Sequence, residues 1–471
     1  MSSRPTRVVE FLARCMLPRA GLRRDLWIST ADATAYSVMV GCGETYIPAF
    51  ALALGMGPVA AGLTASVPLF VGAVLQLVTP LAVARLGTNR GWVVATTAVQ
   101  AASFLPLIWW AIRGHAQLWE LLVAVSVYWS AGMAGAPAWN AWIGTLVPER
   151  MRTPYFAHRS RLGQFAVLFG FVLGGLLLQW GAQHGVTLRT FAVLFGLALA
   201  CRVVSTLCLA ACREPKPPGS AAAEAARDHA AHSVASQTVT AGAVATFLGR
   251  LRGLATAPAG TLVTYLWATT FACQFSGPYF TPYMLREMEF SYWSYMLVVA
   301  TSFLAKALAL PTLGRLGSRI GALGLLWLGG LTIIPLTLLW LPSASVPYLV
   351  GVQTVAGCCW ASYELAVVLL FFEAANHQER TGVVTVYNLG HAIATLAGAA
   401  TGGLVLRSLG EDRSAYFTVF VISSILRLSA MPLLRRVHVI RTAVAGKEGH
   451  SRSPIPHGPA SGPASSPDNL E

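Results

Sequence analysis

The chain has 471 residues, of which 55% are hydrophobic and only 11% are charged, and its formal net charge is +14. A soluble protein of this length needs far more charge to cover its surface, so soluble enzymes and soluble binding proteins are excluded. Apolar runs of about 20 residues recur along the chain, and each is long enough to cross a bilayer as a helix. A membrane β-barrel would show segments of about 10 residues with alternating polarity. The composition therefore predicts an all-α membrane protein.

The hydrophobic pattern predicts twelve transmembrane helices, spans 1 to 12. The first apolar run is of span length and no cleavage site follows a short apolar core, so no signal peptide is expected. In chain order the predicted spans cover residues 28–53, 58–82, 92–112, 118–146, 163–184, 188–211, 260–284, 290–313, 320–341, 345–372, 383–408 and 414–434.

Polar segments divide the chain into five parts. An Ala-rich polar stretch between spans 6 and 7 is predicted to be a flexible linker. A terminal stretch rich in Pro, Ser and Gly is predicted to be disordered. The predicted parts are a cytoplasmic segment 1–24, an N-terminal six-helix bundle 25–212, a cytoplasmic linker 213–257, a C-terminal six-helix bundle 258–435 and a disordered cytoplasmic tail 436–471.

The positive charges lie mostly on one side of the predicted membrane. With the N-terminus inside, the cytoplasmic segments hold 25 Lys and Arg and the opposite side holds 5. This positive-inside bias predicts that both termini are cytoplasmic. The basic face is expected to touch anionic lipid rather than nucleic acid. The preference for Arg over Lys is typical of GC-rich coding and favours a bacterial cytoplasmic (inner) membrane.

A short basic signature occurs twice, at Arg85 to Thr88 and, 230 residues later, at Arg315 to Ser318. Other residues match in the same order, at offsets between 225 and 234. The matched pairs are Gly43 and Gly277, Pro48 and Pro282, Glu149 and Glu379, Gly170 and Gly398, Gly174 and Gly402, Gly175 and Gly403, and Arg202 and Arg427. An ordered series across six spans indicates duplication. The two bundles are then parallel repeats that enter the membrane from the same side.

This pattern resembles the major facilitator superfamily over roughly residues 25–435. In that family the repeated loop usually reads Gly-x-x-x-Asp-Arg-x-Gly-Arg-Arg. Here Ala84 and Gly314 stand at the acidic positions, so the charge relay of the loop is incomplete in both halves. The gating-loop residues that remain are Arg85, Gly87 and Arg90 in the first copy and Arg315 and Gly317 in the second. The resemblance implies that these arginines pair with acidic residues at the ends of neighbouring helices, for which Glu149, Glu373 and Glu379 are available.

The resemblance also implies a function. Family members move small solutes by alternating access, in which two bundles rock about a central cavity. Their first, fourth, seventh and tenth helices line that cavity. The expected function is therefore secondary active transport of a small organic solute, by symport or antiport coupled to protons. Two alternatives stay open: a non-transporting receptor-like or partner-binding protein with the same fold, and a transporter of lipid-like substrates.

Glu44 lies well inside span 1. A carboxylate at that depth is costly unless it is protonated, paired or facing water. A group that ionises only when the cavity opens to water can load and release a proton, so Glu44 is the first candidate for proton coupling. The alternative is a structural carboxylate that accepts a hydrogen bond from a neighbouring helix. Nearby Gly43 and Pro48, like Gly277 and Pro282 in span 7, are expected to let the helix bend.

Lys306 in span 8 and Glu364 in span 10 lie at similar depth, and His391 in span 11 falls in the same zone. Three interpretations of the first two stay open: a structural ion pair, a switch that substrate or a proton breaks, and no contact. His391 titrates near neutral pH, but such a residue is more often a hydrogen-bonded packing residue.

Aromatic and amide side chains on the cavity-lining spans suit an amphipathic organic ligand. These further substrate candidates are Tyr46, Asn140, Trp142, Gln274, Tyr279, Trp360 and Tyr363. By contrast, Asp32 is expected to reach water, and Arg202 and Arg427 to snorkel to the inner interface. Gly174 and Gly402 are expected to allow close helix packing.

The sequence carries no Walker loop, no His-Glu-x-x-His motif and no dinucleotide fingerprint between a strand and a helix. No enzymatic activity, catalytic residue, cofactor or metal is therefore expected. The expected partners of a monomer are the lipid bilayer, a small-molecule substrate and protons.

Overall fold

The computed structural model describes residues 20–76, 79–214, 258–373 and 377–451, and no strand occurs among them. The helices, numbered in chain order, are α1 (Ala20–Cys42), α2 (Ile47–Ala53), α3 (Pro58–Leu75), α4 (Thr79–Leu86), α5 (Asn89–Ala102), α6 (Phe104–Arg113), α7 (Leu118–Leu146), α8 (Glu149–Gln183), α9 (Thr187–Ala211), α10 (Pro258–Gln274), α11 (Phe280–Pro282), α12 (Tyr292–Thr332), α13 (Val346–Glu373), α14 (His377–Ser408) and α15 (Arg413–Ser451). Helix α15 thus extends beyond the predicted bundle boundary at 435, and residues 452–471 lie outside the described ranges.

Nine segments of the described chain are long and apolar enough to cross a membrane, and one of them, Tyr292–Trp340, has 49 residues. That segment contains predicted spans 8 and 9. Gly357 of α13 packs against Ser302, and Tyr363, less than two turns further along α13, packs against Gly329. A straight helix would place Ser302 and Gly329 about 40 Å apart, so the chain reverses between them. Helices α1 and α10 are not among the nine, and the total of twelve stays a prediction.

The first long helix of each half breaks at the same place. Helix α1 ends at Cys42, and a 3₁₀ turn over Glu44–Tyr46 leads into α2. Helix α10 ends at Gln274, and a 3₁₀ turn over Gly277–Tyr279 leads into α11. Proline explains both breaks, because Pro48 and Pro278 lack the N–H that would bond to the fourth residue before them. The bends expected in spans 1 and 7 are therefore present, each as a joint between helical pieces.

Glycine lets two pairs of helices approach closely within the halves. A Cβ atom on Gly170 of α8 would lie 2.5 Å from the carbonyl oxygen of Val38 in α1. A Cβ atom on Gly398 of α14 would lie 2.5 Å from the carbonyl oxygen of Phe271 in α10. The matched glycines of the sequence therefore make matched contacts. Close packing is also confirmed at Gly402, where an added Cβ atom would lie 1.9 Å from the carbonyl oxygen of Phe275.

The two halves meet near the start of α12 and the far end of α8, the closed end of the molecule. The ring of Tyr295 packs edge-on against those of Tyr46 and Phe171, with centroids 6.3 and 6.0 Å apart. The backbone N–H of Trp293 donates a hydrogen bond of 3.1 Å to the side chain of Gln179. Apolar and aromatic side chains thus join α8 to α12.

A second seam at the closed end joins α3 to the other half. A Cβ atom on Gly62 of α3 would lie 2.6 Å from the ring of Tyr279. A Cβ atom on Gly403 of α14 would lie 3.1 Å from Val59 of α3. The absence of side chains at these glycines allows the halves to touch here as well.

The two copies of the basic signature lie at the other end of the molecule, the basic end. Both Arg85 and Arg315 are exposed there. The copies differ in backbone conformation. In the first copy Gly87 has φ +71° and turns the chain. In the second copy Gly317 is buried within α12, and the chain turns four residues later, at Gly321 with φ +75°. The prediction that span 8 ends before its signature was wrong, because a second glycine four residues later provides the left-handed turn.

Candidate functional site

Glu44 stands at the joint between α1 and α2 and is half-buried. Its Oε2 atom accepts a hydrogen bond of 2.7 Å from the hydroxyl of Tyr128 in α7, and Tyr128 is itself buried. The ion pairs among the described residues do not include Glu44. This carboxylate therefore has one hydroxyl donor, no directly bonded cation in that part of the chain, and partial access to the space beside the joint.

Asp32 of α1, more than three helical turns before Glu44, is only 3% exposed. Its Oδ1 atom accepts a hydrogen bond of 2.7 Å from Ser205 of α9, and its Oδ2 atom accepts one of 3.2 Å from Arg159 of α8. The expectation that Asp32 reaches water was wrong. It lies inside the N-terminal half because α8 and α9 both cover the same face of α1.

Arg202 and Arg427 are each 5% exposed, so the expectation that they snorkel to an interface was also wrong. The Arg202 guanidinium donates to Ser205 at 2.7 Å and to Gln100 at 2.5 Å, and lies 4.8 Å from the ring centre of Tyr36. Such a position over an aromatic face is favourable for a cation. The guanidinium is thus held inside the bundle by α1, α5 and α9.

Arg427 occupies the matched place in the C-terminal half. Its Nη1 atom donates a hydrogen bond of 2.7 Å to the carbonyl of Ile333, and its Nη2 atom lies 3.5 Å from Ser276. The pairing of the two arginines could be read from the sequence. Their burial could not, because the depth of a residue along a helix does not reveal which neighbours its face meets.

Lys306 of α12 and Glu364 of α13 form an ion pair. The contact that their similar depth suggested is therefore present, with the lysine 28% and the carboxylate 48% exposed. Gly357 allows this contact, because an added Cβ atom there would lie 3.0 Å from the backbone nitrogen of Lys306. The close approach of α12 and α13 brings the two charges together.

The remaining candidates fall into two groups. Four are buried and serve as packing residues in this structure: Tyr46, Trp142, Tyr279 and Tyr363. Trp142 is 1% exposed and donates to the carbonyl of Arg213 at 3.0 Å, which makes it a packing residue rather than a ligand contact in this structure. Four have accessible surface: Asn140, Gln274, Trp360 and His391.

The half-buried ring of His391 lies 5.6 Å from that of Tyr387. Trp360 packs edge-on against Tyr363 at 5.9 Å. Within the described ranges no three His, Cys, Asp or Glu side chains converge to hold a metal ion. The accessible candidates of α13 and α14 are therefore aromatic or imidazole groups suited to an organic ligand.

The first basic loop is fastened to the end of α9. The Arg90 side chain donates to the carbonyl of Ala210, and the backbone N–H groups of Asn89 and Arg90 donate to the carboxylate of Glu214 at 3.0 and 3.4 Å. The acidic partner at the start of α5 is thus Glu214, which the sequence analysis did not consider. The side chains of Glu149, Glu373 and Glu379 lie outside the described part of the structure.

The architecture of two helical halves joined at one end agrees with a comparison of the sequence with protein-family models. The model described as Major Facilitator Superfamily matches residues 33–294 and 262–459. The chain belongs to the Major Facilitator Superfamily. The predicted family and the all-α membrane fold are therefore confirmed. No curated protein matches the sequence.

Solved structures of the superfamily share this fold at low sequence identity. The nucleoside transporter NupG, in a mutant form, is 11% identical with a TM-score of 0.67, over 87% of this chain and 99% of that one. A bacterial homologue of the human lysosomal transporter Spinster, inward-facing and unoccupied, is 14% identical with a TM-score of 0.63, over 93% and 98%. The xylose transporter XylE from E. coli is 12% identical with a TM-score of 0.56, over 87% and 97%. The superfamily architecture thus spans most of this chain, an integral membrane protein of a transporter family.

Proposed function

We propose that this protein is a secondary active transporter that moves a small organic solute by alternating access and couples the movement to protons at Glu44. The observation that carries the coupling is the state of this carboxylate. It stands at a helix joint, half-buried, with one hydroxyl donor and no ion-pair partner among the described residues. Such a group can exist neutral or charged, depending on whether water reaches it.

Alternating access is supported by the way the halves meet. Contacts of α8 with α12, and of α3 with α14, hold the closed end together. The positive-inside bias assigns the basic end to the cytoplasm of a bacterial cell, with both termini there. In this assignment the structure faces inward, and rocking of residues 25–212 against 258–435 would open the closed end instead.

The pair of Lys306 and Glu364 supports a water-filled passage beside the C-terminal half. Ionised side chains within membrane spans face water or protein rather than lipid. The exposure of this pair therefore supports water rather than lipid beside it. We assign the pair to the passage wall, where substrate or a proton can separate the two charges.

The similar structures suggest which solutes to try first. Two of their names refer to a nucleoside transporter and to a xylose transporter, and a third similar structure, 14% identical with a TM-score of 0.58, is a POT family transporter in complex with a conjugated peptide. All three solutes are small and polar, which fits a site with an ion pair and the accessible aromatic groups Trp360 and His391. A nucleoside, a dipeptide and xylose therefore form the first panel for this protein.

The test is solute-dependent proton movement in liposomes that contain the purified protein and a pH-sensitive dye. We expect at least one solute of the panel to change the internal pH with the wild-type protein. Glu44→Gln should abolish that change. Glu120→Gln is the matched control, because Glu120 caps the start of α7 at the surface. Proton flux that survives in Glu44→Gln would refute the coupling assignment, and solute binding without any flux would favour the receptor-like alternative.

A further inference from the structure

A continuous chain of polar contacts crosses the N-terminal half. It starts at Gln100 of α5, which accepts from Arg202 of α9. Arg202 donates to Ser205, and Ser205 donates to Asp32 of α1. Asp32 then accepts from Arg159 of α8 at 3.2 Å. Four helices are thus joined through four buried side chains and the partly buried Arg159.

The charges along this chain do not balance without Glu44. Asp32 has a direct ion-pair partner in Arg159 and is linked to Arg202 through Ser205, so one negative charge stands against two arginines. The joint that carries Glu44 lies against α9, because a Cβ atom on Gly43 would lie 2.7 Å from that of Ala198, one turn before Arg202. Arg202 is therefore close enough to interact electrostatically with Glu44 as well as with Asp32. Only an ionised Glu44 makes the set of two arginines and two carboxylates neutral. Because a buried charge without compensation is costly, the state of Glu44 matters to the whole chain of contacts.

The matched arginine of the other half needs no carboxylate. Arg427 donates to the carbonyl of Ile333, which caps the carboxyl end of α12, and adjoins the hydroxyl of Ser276. The carboxyl end of a helix carries partial negative charge, so it stabilises a cation there. The ion pairs among the described residues do not include Arg427. The same buried residue therefore serves packing in one half and faces two acids in the other.

We propose that Arg202 is a positioning residue for proton coupling: fixed by Gln100 and Ser205, it supplies the positive charge that balances Glu44 whenever that carboxylate is ionised. This inference rests on the proposed function. It places the residue that balances Glu44 in the N-terminal half and leaves Arg427 a structural role. When a proton neutralises Glu44, the positive charge of Arg202 no longer has a carboxylate to balance it. This favours a different arrangement of α1 against α9. Proton binding would thereby reach the joint between α1 and α2.

Other groups around Arg202 define what a titration will detect. The charged and titratable groups that face Arg202 or its partners are Asp32 and Tyr36 of α1, Glu44 at the joint, Tyr128 of α7, Arg159 of α8, Cys208 of α9 and Cys212 just after α9. Helix α5 contributes the neutral amide of Gln100. Only two of these groups are carboxyls, so infrared spectroscopy of carboxyl bands separates them from the rest.

The test is a pH titration of carboxyl bands by infrared difference spectroscopy, on the full-length protein in phospholipid vesicles without solute. Glu44→Gln and Asp32→Asn assign the two bands. In Arg202→Gln we expect the midpoint of the Glu44 band to move to higher pH by about one unit or more, because a carboxylate that loses a nearby cation holds its proton more tightly. Arg427→Gln, the matched loss of a buried arginine, should leave that midpoint unchanged.

Arg202→Lys keeps the charge but cannot donate to Ser205 and Gln100 from a planar guanidinium. We expect the midpoint of its Glu44 band to lie between those of the wild type and Arg202→Gln. This variant also covers the case in which Arg202→Gln fails to fold. Equal shifts in the Arg202 and Arg427 variants, no shift in either Arg202 variant, or a Glu44 band that never titrates would each overturn the inference. A normal shift in a protein that moves no protons with any solute would instead refute the proposed function and leave the charge balance intact.

Discussion

Tyr46 and Tyr279 occupy the same place in the two halves and make the same hydrogen bond. The hydroxyl of Tyr46 donates to the carbonyl of Phe171 in α8 at 2.6 Å, and that of Tyr279 donates to the carbonyl of Ala399 in α14 at 2.5 Å. Each tyrosine is fully buried and ends the 3₁₀ turn at which a long helix breaks. The bond ties the broken helix to an unbroken one, so it fixes where the two pieces of the broken helix lie.

Removing either hydroxyl should destabilise the half of the protein that contains it. We expect Tyr46→Phe and Tyr279→Phe each to lower the free energy of unfolding by about 1 kcal/mol, the usual contribution of a single buried hydrogen bond. Thermal unfolding in detergent measures the loss. Tyr416→Phe is the control, because the buried hydroxyl of Tyr416 has no hydrogen-bond partner within the described chain. If all three variants lose the same stability, the bonds to α8 and α14 contribute nothing.

The matched glycines give a second comparison. We expect Gly170→Ala and Gly398→Ala each to destabilise the protein by roughly 1–3 kcal/mol, because the added methyl group overlaps a backbone carbonyl 2.5 Å away. Gly196→Ala in α9 is the matched control, since open space surrounds that glycine. Its alanine should be neutral or slightly stabilising. Thermal unfolding of the three variants in one detergent measures these changes in stability. Equal changes in all three variants would contradict the close packing at Gly170 and Gly398.

Much of the fold followed from sequence because it depends on properties that a sequence displays directly. Apolar length predicted helices across a membrane. The repeated glycines predicted a duplication, and Gly170 and Gly398 indeed make equivalent contacts. Pro48 predicted the joint in span 1, whereas the joint in span 7 lies at Pro278 rather than at the predicted Pro282. A proline alone does not locate a joint, because Pro68 lies inside the unbroken helix α3.

The polar interior of the N-terminal half did not follow from sequence. Asp32 and Arg202 lie 170 residues apart in the chain, and neither a spacing nor a motif links them. Their link through Ser205 depends on the rotation of α1 and α9 about their own axes, which hydrophobic periodicity cannot give when nearly every face is apolar. The pair of Lys306 and Glu364 was accessible to prediction because both lie at similar depth within the membrane.

Reversing that pair tests its contact. We expect Lys306→Gln and Glu364→Gln each to reduce transport several-fold, because each leaves one charge within the membrane without its partner. The double variant Lys306→Glu, Glu364→Lys should recover most of the activity, since it restores an ion pair of opposite polarity. Initial rates of solute uptake into liposomes measure both effects. A double variant no better than the single ones would show that the two positions have separate tasks.

Asp412 caps α15 and gives a prediction about acid. The N–H of Ala415 and the hydroxyl of Ser414 donate to its carboxylate, and these bonds hold the pKa of Asp412 below its usual range. Because the pKa is lower in the folded state, the stabilisation is fully present above the ordinary aspartate pKa and is lost as the pH falls through the lowered value.

Two variants separate the charge of Asp412 from its capping role. Asp412→Asn keeps a good cap without a titrating group, so the melting temperature should lose part of its dependence on acid. Asp412→Ala loses the cap and should melt lower throughout the pH range. Melting curves in detergent from neutral to acidic pH give both quantities. A dependence on acid identical in wild type and Asp412→Asn would assign it to other groups.

The closed end is held by a contact that one added side chain should break. A Cβ atom on Gly175 of α8 would lie 2.6 Å from the Cβ atom of Met296 in the other half. Gly175→Leu should therefore push α8 and α12 apart and shift the population toward an arrangement open at this end.

A cysteine placed at Val59, which faces Gly403 across the second seam, reports the opening in a background without native cysteines. We expect Gly175→Leu to raise its reaction rate with a membrane-impermeant maleimide several-fold. Gly196→Leu, at a site with open space, should leave the rate unchanged. Equal rates in the two variants would mean that the halves do not separate along this seam, and alternating access between these two bundles would lose its main structural support.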